Sequence, residues 1–576
     1  MSGKLRCVVP VLFVVVCIVA SSAVVNAWGP RRSKKDGALI IKAAPWGPSQ
    51  EEADAGARRV ERSAEVQSFL NGTKYRLLNL EYIDQTKVES ALPPTRFRVV
   101  FYDYTNDRAI VAEADFAGRD PIAAREEYSN PIPNDEEFNE AVRILQKDAR
   151  YSNDFASGAI HPYQPMPPTT ILDGTVERLV NVGLRNSGRQ NEIVGVSMKR
   201  GEVVRYVGNA PPCSRSVEGS CGPPSAGQAT TSNGTAGSAT LTIIDQTTMA
   251  TLWEMLVIRP SASSGTRKSG IEVRNVKYKG KSVLKRGHVP VLNVQYTPST
   301  CGPYRDWQWQ EDQFVAAAAG ANDVAPGIRV LAAGQVATTV LETGTDTGNF
   351  NGVAIYTQNT QFGPEVVLVT ELQAGWYRYI MEWRFATDGT IRPRYGFGAT
   401  FNSCTCDVHN HHAYWRFDLD IVQPNNKVFQ VERGRKFLQP LAIELRRNKN
   451  AGTNRSLLVQ NASGDEAYVL VPGRLDGAVD TFGVDDFWVL RYKEVIGGTA
   501  LQNEIDDGFN QTTSPNSFIQ INPFVNGESI VGQDVVLWYG GHFLHNDGSN
   551  LLDPNRSPEV ISGSHVIGPD LRPVRW

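Results

Sequence analysis

The segment His409-Asn410-His411-His412-Ala413-Tyr414-Trp415-Arg416-Phe417-Asp418-Leu419-Asp420 is rich in aromatic residues and bounded by polar turns, which predicts a strand. Side chains at i and i+2 share a strand face, so His409 and His411 point the same way and offer two imidazoles to copper or zinc. Spacing alone fits a hydrogen-bonded histidine pair equally well. His412, Asp418 and Asp420 take the opposite face, so one strand could serve two metal sites; the two carboxylates suit a hard cation or simple solvation. Cys404-Thr405-Cys406 lies close by, but the chain has no second cysteine pair with zinc-site spacing.

Other segments extend this pattern. They are Asp534-Val535-Val536-Leu537-Trp538-Tyr539, Asp486-Phe487-Trp488-Val489-Leu490-Arg491-Tyr492, the stretch Gly270 to Tyr278, and Gly375-Trp376-Tyr377-Arg378-Tyr379-Ile380-Met381-Glu382-Trp383 followed by the turn Asp388-Gly389-Thr390-Ile391. With Arg416-Phe417-Asp418-Leu419-Asp420, which is similar to a family Arg-Leu-Asp-Leu-Asp, they resemble the copper-dependent primary amine oxidases over roughly residues 250 to 576, and more loosely from Pro133 to Arg150.

The resemblance implies copper on His409 and His411 and, counting on from Trp538 by the family's interval, on His545, with His542 as the alternative. It places Asp418, Asp420, Asp534 and the carbonyls of Leu419 and Val535 at a peripheral Ca2+-type site. Tyr377 corresponds to the tyrosine that the family oxidises to topaquinone, although Gln373 stands for the family's Thr, Trp376 for its Asn and Arg378 for its acidic residue. The family's general base falls at Asp312 or Glu311, within a segment running from Tyr304, itself the counterpart of a channel tyrosine, to Phe314. The implied activity is oxidative deamination of a primary amine by O2 to an aldehyde, ammonia and H2O2, in a homodimer. The rival reading is a secreted copper-binding or adhesive β-sandwich in which Tyr377 stays an unmodified buried tyrosine.

Whole-chain properties narrow the setting. At 576 residues there is room for several domains and a large core, and 58 basic against 61 acidic residues give a formal charge of −3, with no electrostatic footprint for nucleic acid. Residues 1–27 read as a secretory signal: Lys4 and Arg6, an apolar run from Val8 to Ala20, and small residues ending at Ala27. The expected protein is therefore secreted, with no membrane span after cleavage. Asn-X-Ser/Thr triplets at Asn71, Asn233, Asn454, Asn461, Asn510 and Asn555 agree with a glycoprotein. The mature chain keeps Cys213, Cys221, Cys301, Cys404 and Cys406; Cys213 with Cys221 could close a local disulfide, and Cys301 could pair with Cys404 or Cys406.

The elements that must carry these residues are mostly strands. Residues 28–48 read as a basic irregular tail, and residues 49–155 as a small α+β (cystatin-like) region. That region has a helix from Ser49 to Leu70, strands at Thr73 to Tyr82, Arg96 to Tyr104 and Arg108 to Phe116, and a helix from Asp135 to Arg150. A second small segment spans 156–210, and a Pro/Ser/Gly linker spans 211–240. Residues 241–576 show strand after strand without βα alternation, so the expected class is mainly β, with one large C-terminal β-sandwich.

Overall fold

The computed structural model describes residues 38–83, 92–127, 131–165, 177–186, 192–204, 237–264, 268–296, 304–311, 323–343, 346, 352–400, 405, 409–434, 436–474, 476–480, 485–493, 521, 524–545 and 566–576. Among these, strands dominate. Two large sheets share one core, and two four-stranded sheets precede them with the main helices, which is the mainly β class expected.

The N-terminal region builds as its caps and apolar spacing dictate. Ser49 and Glu52 form a capping box that starts the helix Gln50–Glu61. A single helix to Leu70 was expected, but the Ser63 hydroxyl accepts from the Val66 amide and starts a separate helix, Ala64–Leu70. Both pack on the sheet Tyr75–Tyr82, Arg96–Asp103, Arg108–Asp115 and Ala123–Glu127. The helix Asp135–Lys147 joins this sheet to a second one, Ile160–Tyr163, Leu179–Asn186, Glu192–Ser197 and Glu202–Val204. At that junction the buried Arg178 guanidinium donates to both carboxylate oxygens of Glu137, each at 2.6 Å, and Tyr104 Oη donates to Glu137 at 2.9 Å.

One large sheet runs in the order Leu39–Trp46, Ser238–Asp245, Thr251–Ile258, Glu272–Tyr278, Lys281–Tyr296, His409–Asp418, Val535–His545, Phe487–Arg491 and Leu445–Arg447. The centre of the facing sheet is Val353–Thr360, Gly363–Ala374, Tyr377–Ala386 and Ile391–Ala399. Strand alternation sends Tyr377, Tyr379, Met381, Trp383 and Phe385 inward from one sheet and Ala413, Trp415 and Phe417 inward from the other, into one continuous core. The turn between Ala374 and Tyr377 has two residues, with Gly375 at φ 60°; a positive φ at the first position is what a type II′ hairpin requires. This turn sets which face Tyr377 takes.

The expectation of an irregular tail over 28–48 needs correction, because Leu39–Trp46 is an antiparallel strand in register with Ser238–Asp245. Leu39, Ile41 and Ala43 pack against the main core, so every second residue gains burial that the local composition does not reveal. Ser238–Asp245 also begins inside the expected linker range. The signal segment, most of the linker and all five mature cysteines lie outside the described residues. So do Asn233, Asn510 and Asn555; Asn71 and Asn454 are exposed, whereas Asn461 is buried and its Oδ1 accepts from the amides of Gly464 and Glu466. No helix among the described residues is long and apolar enough to cross a membrane.

Glu137→Ala would leave the Arg178 guanidinium buried without its counter-charge. We expect a loss of about 3–5 kcal/mol in denaturant unfolding. A loss under about 1 kcal/mol would show that this ion pair does not hold the two N-terminal sheets together.

Candidate metal centre

Antiparallel pairing does the first assembly step. The strand His409–Asp418 lies between Lys281–Tyr296 and Val535–His545, in a register that sets His409 opposite His545 and His411 opposite Phe543. Directly opposed residues bring their Cβ atoms to about 4.5–5.5 Å, so an imidazole 136 positions away becomes a neighbour. His545 Nδ1 lies 2.9 Å from His409 Nε2, and the His411 ring centroid is 4.9 Å from His409 and 5.7 Å from His545. One nitrogen from each of the three rings falls within a 4.8 Å cluster.

The facing sheet supplies the fourth group. Tyr377 Oη contacts His409 Nε2 and lies 3.3 Å from His545 Nδ1, while its ring meets the His411 ring edge-on at 4.6 Å between centroids. Phe397 and Phe543 stack on each other and cover His411. All three histidines are at most 1% exposed.

Both nitrogens of His411 are buried, and among the described residues neither has a hydrogen-bond partner. A buried polar atom left unpaired costs about 1–3 kcal/mol, so these nitrogens call for a ligand. Desolvation first, and the neighbouring imidazoles second, hold His411 well below the usual histidine range and keep it in the neutral form that a metal requires. Nitrogen donors in this number suit copper or zinc, so the residues present fit the implied copper.

Around Tyr377, the unusual residues find partners. Arg378 points to the other face of its strand, where it donates to both Asp346 oxygens at 2.6 and 2.8 Å and to the Tyr377 carbonyl at 3.0 Å. The charge reversal at that position is thus neutralised away from the histidines. Trp376 packs edge-on against Tyr163 of the second N-terminal sheet, at 6.1 Å. Tyr379 stacks on Tyr377 at 5.4 Å, and its hydroxyl donates to Asp306 Oδ2.

The two base candidates fare differently. Glu311 is buried and accepts from Arg259 at 2.9 and 2.6 Å, a bidentate structural pair. Asp312 lies outside the described residues, as does the side chain of Tyr304. Asp306, buried beside the tyrosine stack, was passed over, although it sits two residues after Tyr304 in the segment already singled out. A separate cluster unites Asp418, Asp420 and Asp534, with carboxylate oxygens within 4.8 Å of one another; Leu419 lies buried between the first two, and Val535 follows Asp534. His542 does not join the triad; it pairs with His412 on the other sheet face.

No protein-family model matches the chain, and no curated protein matches its sequence. Among solved structures it is similar to a copper-containing benzylamine oxidase from Hansenula polymorpha, with a TM-score of 0.58 and 13% identity over 92% of this chain and 97% of that one. It is also similar to an amine oxidase of Aspergillus nidulans (TM-score 0.53, 12% identity, 92% and 88% covered) and to the lysyl oxidase of Pichia pastoris (0.55, 14%, 94% and 91%). At these identities the likeness shows a shared fold along almost the whole chain.

Four buried histidines make the metal-free chain acid-sensitive. Burial holds His288, His411 and His542 well below the normal range and pushes His412 down to about 3. Unfolded histidines take up protons below about 6.5 while these do not, so stability is full above that pH and falls as pH drops towards the folded values. The slope should reach about 1.4 kcal/mol per pH unit for each group. Unfolding free energy measured on metal-free protein between pH 6.5 and 5 should fall steeply; a flat profile would contradict neutral burial.

Proposed function

We propose that the chain is a copper-dependent amine oxidase that converts a primary amine, O2 and water to an aldehyde, ammonia and H2O2. The observation that carries this reading is the meeting of His409, His411, His545 and the Tyr377 hydroxyl in one buried cluster, within a fold shared with amine oxidases. Copper on the three imidazoles, with a quinone made from Tyr377, would supply the two-electron oxidation that amino-acid side chains cannot perform.

The chain's own residues prepare that chemistry. The Gly375 turn and the Arg378 bond to the Tyr377 carbonyl hold the tyrosine backbone, and Tyr379 supports its ring from one side. The phenol oxygen is thereby kept among the metal-binding nitrogens, where oxidation of Tyr377 would begin. Phe397 and Phe543 exclude water from His411. We assign the proton acceptor for the substrate's α-carbon to Asp306 rather than Glu311, because Asp306 is buried at the Tyr377–Tyr379 stack whereas Glu311 is held by Arg259. Asp418, Asp420 and Asp534, with the Leu419 and Val535 carbonyls, are assigned to a peripheral Ca2+-type site.

Purified protein loaded with Cu2+ in air should bind copper and develop a visible band that shifts with phenylhydrazine. Tyr377→Phe should bind copper and stay colourless, and His545→Ala should lose most of the copper at the triad. Asp306→Asn should keep copper and colour but lower turnover by about 10²–10⁴-fold. Wild-type protein that binds copper yet stays colourless would leave the metal-binding scaffold as the better reading.

A further inference from the structure

The strands that present the triad also carry a second histidine pair on their opposite face. His412 and His542 are directly opposed in the register, both at most 1% exposed, with Nδ1 atoms 2.8 Å apart. Each far nitrogen already faces oxygen. His542 Nε2 lies 3.2 Å from the Asp485 carbonyl and 3.6 Å from Asp486 Oδ1, and His412 Nε2 lies 3.6 Å from Asp480 Oδ1. The hydrogen bond to the Asp485 carbonyl puts a proton on His542 Nε2 and leaves its Nδ1 as an acceptor, so in the metal-free chain a proton on His412 Nδ1 bridges the two rings. A metal ion that displaced this one proton would have both Nδ1 lone pairs directed at it. A histidine that gives one nitrogen to a metal and the other N–H to a carboxylate or carbonyl is the usual metal-ligand arrangement.

The surroundings point the same way. Asn293 is the partner of His412 on the next strand, fully buried, and among the described residues neither its Oδ1 nor its Nδ2 has a hydrogen-bond partner. Tyr414, two residues along on the same face, has its ring centroid 6.1 Å from that of His542, and its buried hydroxyl also lacks a partner. Gly540 leaves room for both rings, since a Cβ there would stand 3.2 Å from each. Val291, Trp488, Leu490 and Trp538 seal this layer. A row of Asn293, His412 and His542 across three strands thus sets two nitrogens and an amide oxygen on one buried face of the sheet.

We propose that His412 and His542 bind a second transition-metal ion, with Asn293 as its oxygen neighbour. With metal–nitrogen bonds of about 2.0–2.1 Å, a 2.8 Å separation corresponds to an angle of about 85° at the metal. Imidazole nitrogens suit Cu2+ or Zn2+, and Cu2+ is the ion used to probe the site. The ion would clamp His409–Asp418 to Val535–His545 in the register that places His409 opposite His545. This proposal does not require an active oxidase.

The test is anomalous diffraction at the copper edge from crystals of the full chain equilibrated with CuCl2, with copper counted per chain in solution. The expected result is a peak between His412 and His542 in addition to any at the triad. His542→Phe should lose that peak and one copper equivalent while keeping the triad's copper, and His545→Ala should do the reverse. Absence of the His412–His542 peak in wild-type crystals would overturn the proposal, whether or not His542→Phe folds. So would unchanged copper content in a folded His542→Phe. Copper at His412 and His542 with none at the triad would support this site and sink the oxidase reading instead.

Discussion

The pairing of His409–Asp418 with Val535–His545 is the constraint on which the rest depends. It sets His409 against His545 and His412 against His542, so both histidine clusters follow from one register. Because side chains alternate between faces, a slip of one residue would put Leu544 where His545 stands and send the third imidazole to the wrong side of the sheet. The register is defended by burial. Tyr414, Trp415, Phe417, Leu537, Trp538 and Tyr539 fill both faces of the pair, and each such side chain gains about 1.5–3 kcal/mol from leaving water. Apolar packing thereby holds imidazoles that contribute little packing energy of their own.

The core holds its polar groups in two ways. Buried charges that serve the scaffold are paired with good geometry: Glu137 with Arg178, Glu311 with Arg259, Asp346 with Arg378. Such pairs join elements far apart in sequence and leave little chemistry free. His411, Asn293 and Tyr414 are equally buried, and among the described residues they have hydrogen-bonding atoms without partners, as do Tyr82 and Trp415.

Much of the site was legible locally. The spacing of His409 and His411 placed them on one strand face, and the aromatic run around them is what a strand buried on both faces needs. Asp418 and Asp420 were legible for the same reason, and Asp534 joins them in space. Other features were not legible because long-range geometry decides them. Nothing near Arg378 announces Asp346 as its partner, and nothing near Glu311 announces Arg259, so a structural carboxylate and a catalytic one look alike in sequence. Asp306 was overlooked because its distinction is a contact with Tyr379, 73 positions away. Leu39–Trp46 became a strand because Ser238–Asp245 offers it an edge, a partner that a short basic stretch does not foretell.

By itself the sequence determined what period-two alternation and turn chemistry can determine: a mainly β chain, a capping box at Ser49, the Asp388-Gly389 turn after the strand of Tyr377, and histidines sharing a strand face. These are local preferences, set by neighbours along the chain. Only the tertiary structure decided that Tyr377 from one sheet meets His409, His411 and His545 of the other, that Arg378 turns away to Asp346, and that His412 finds His542. Each of those contacts depends on register and on the stacking of two sheets, and both are settled by the burial of side chains hundreds of residues apart.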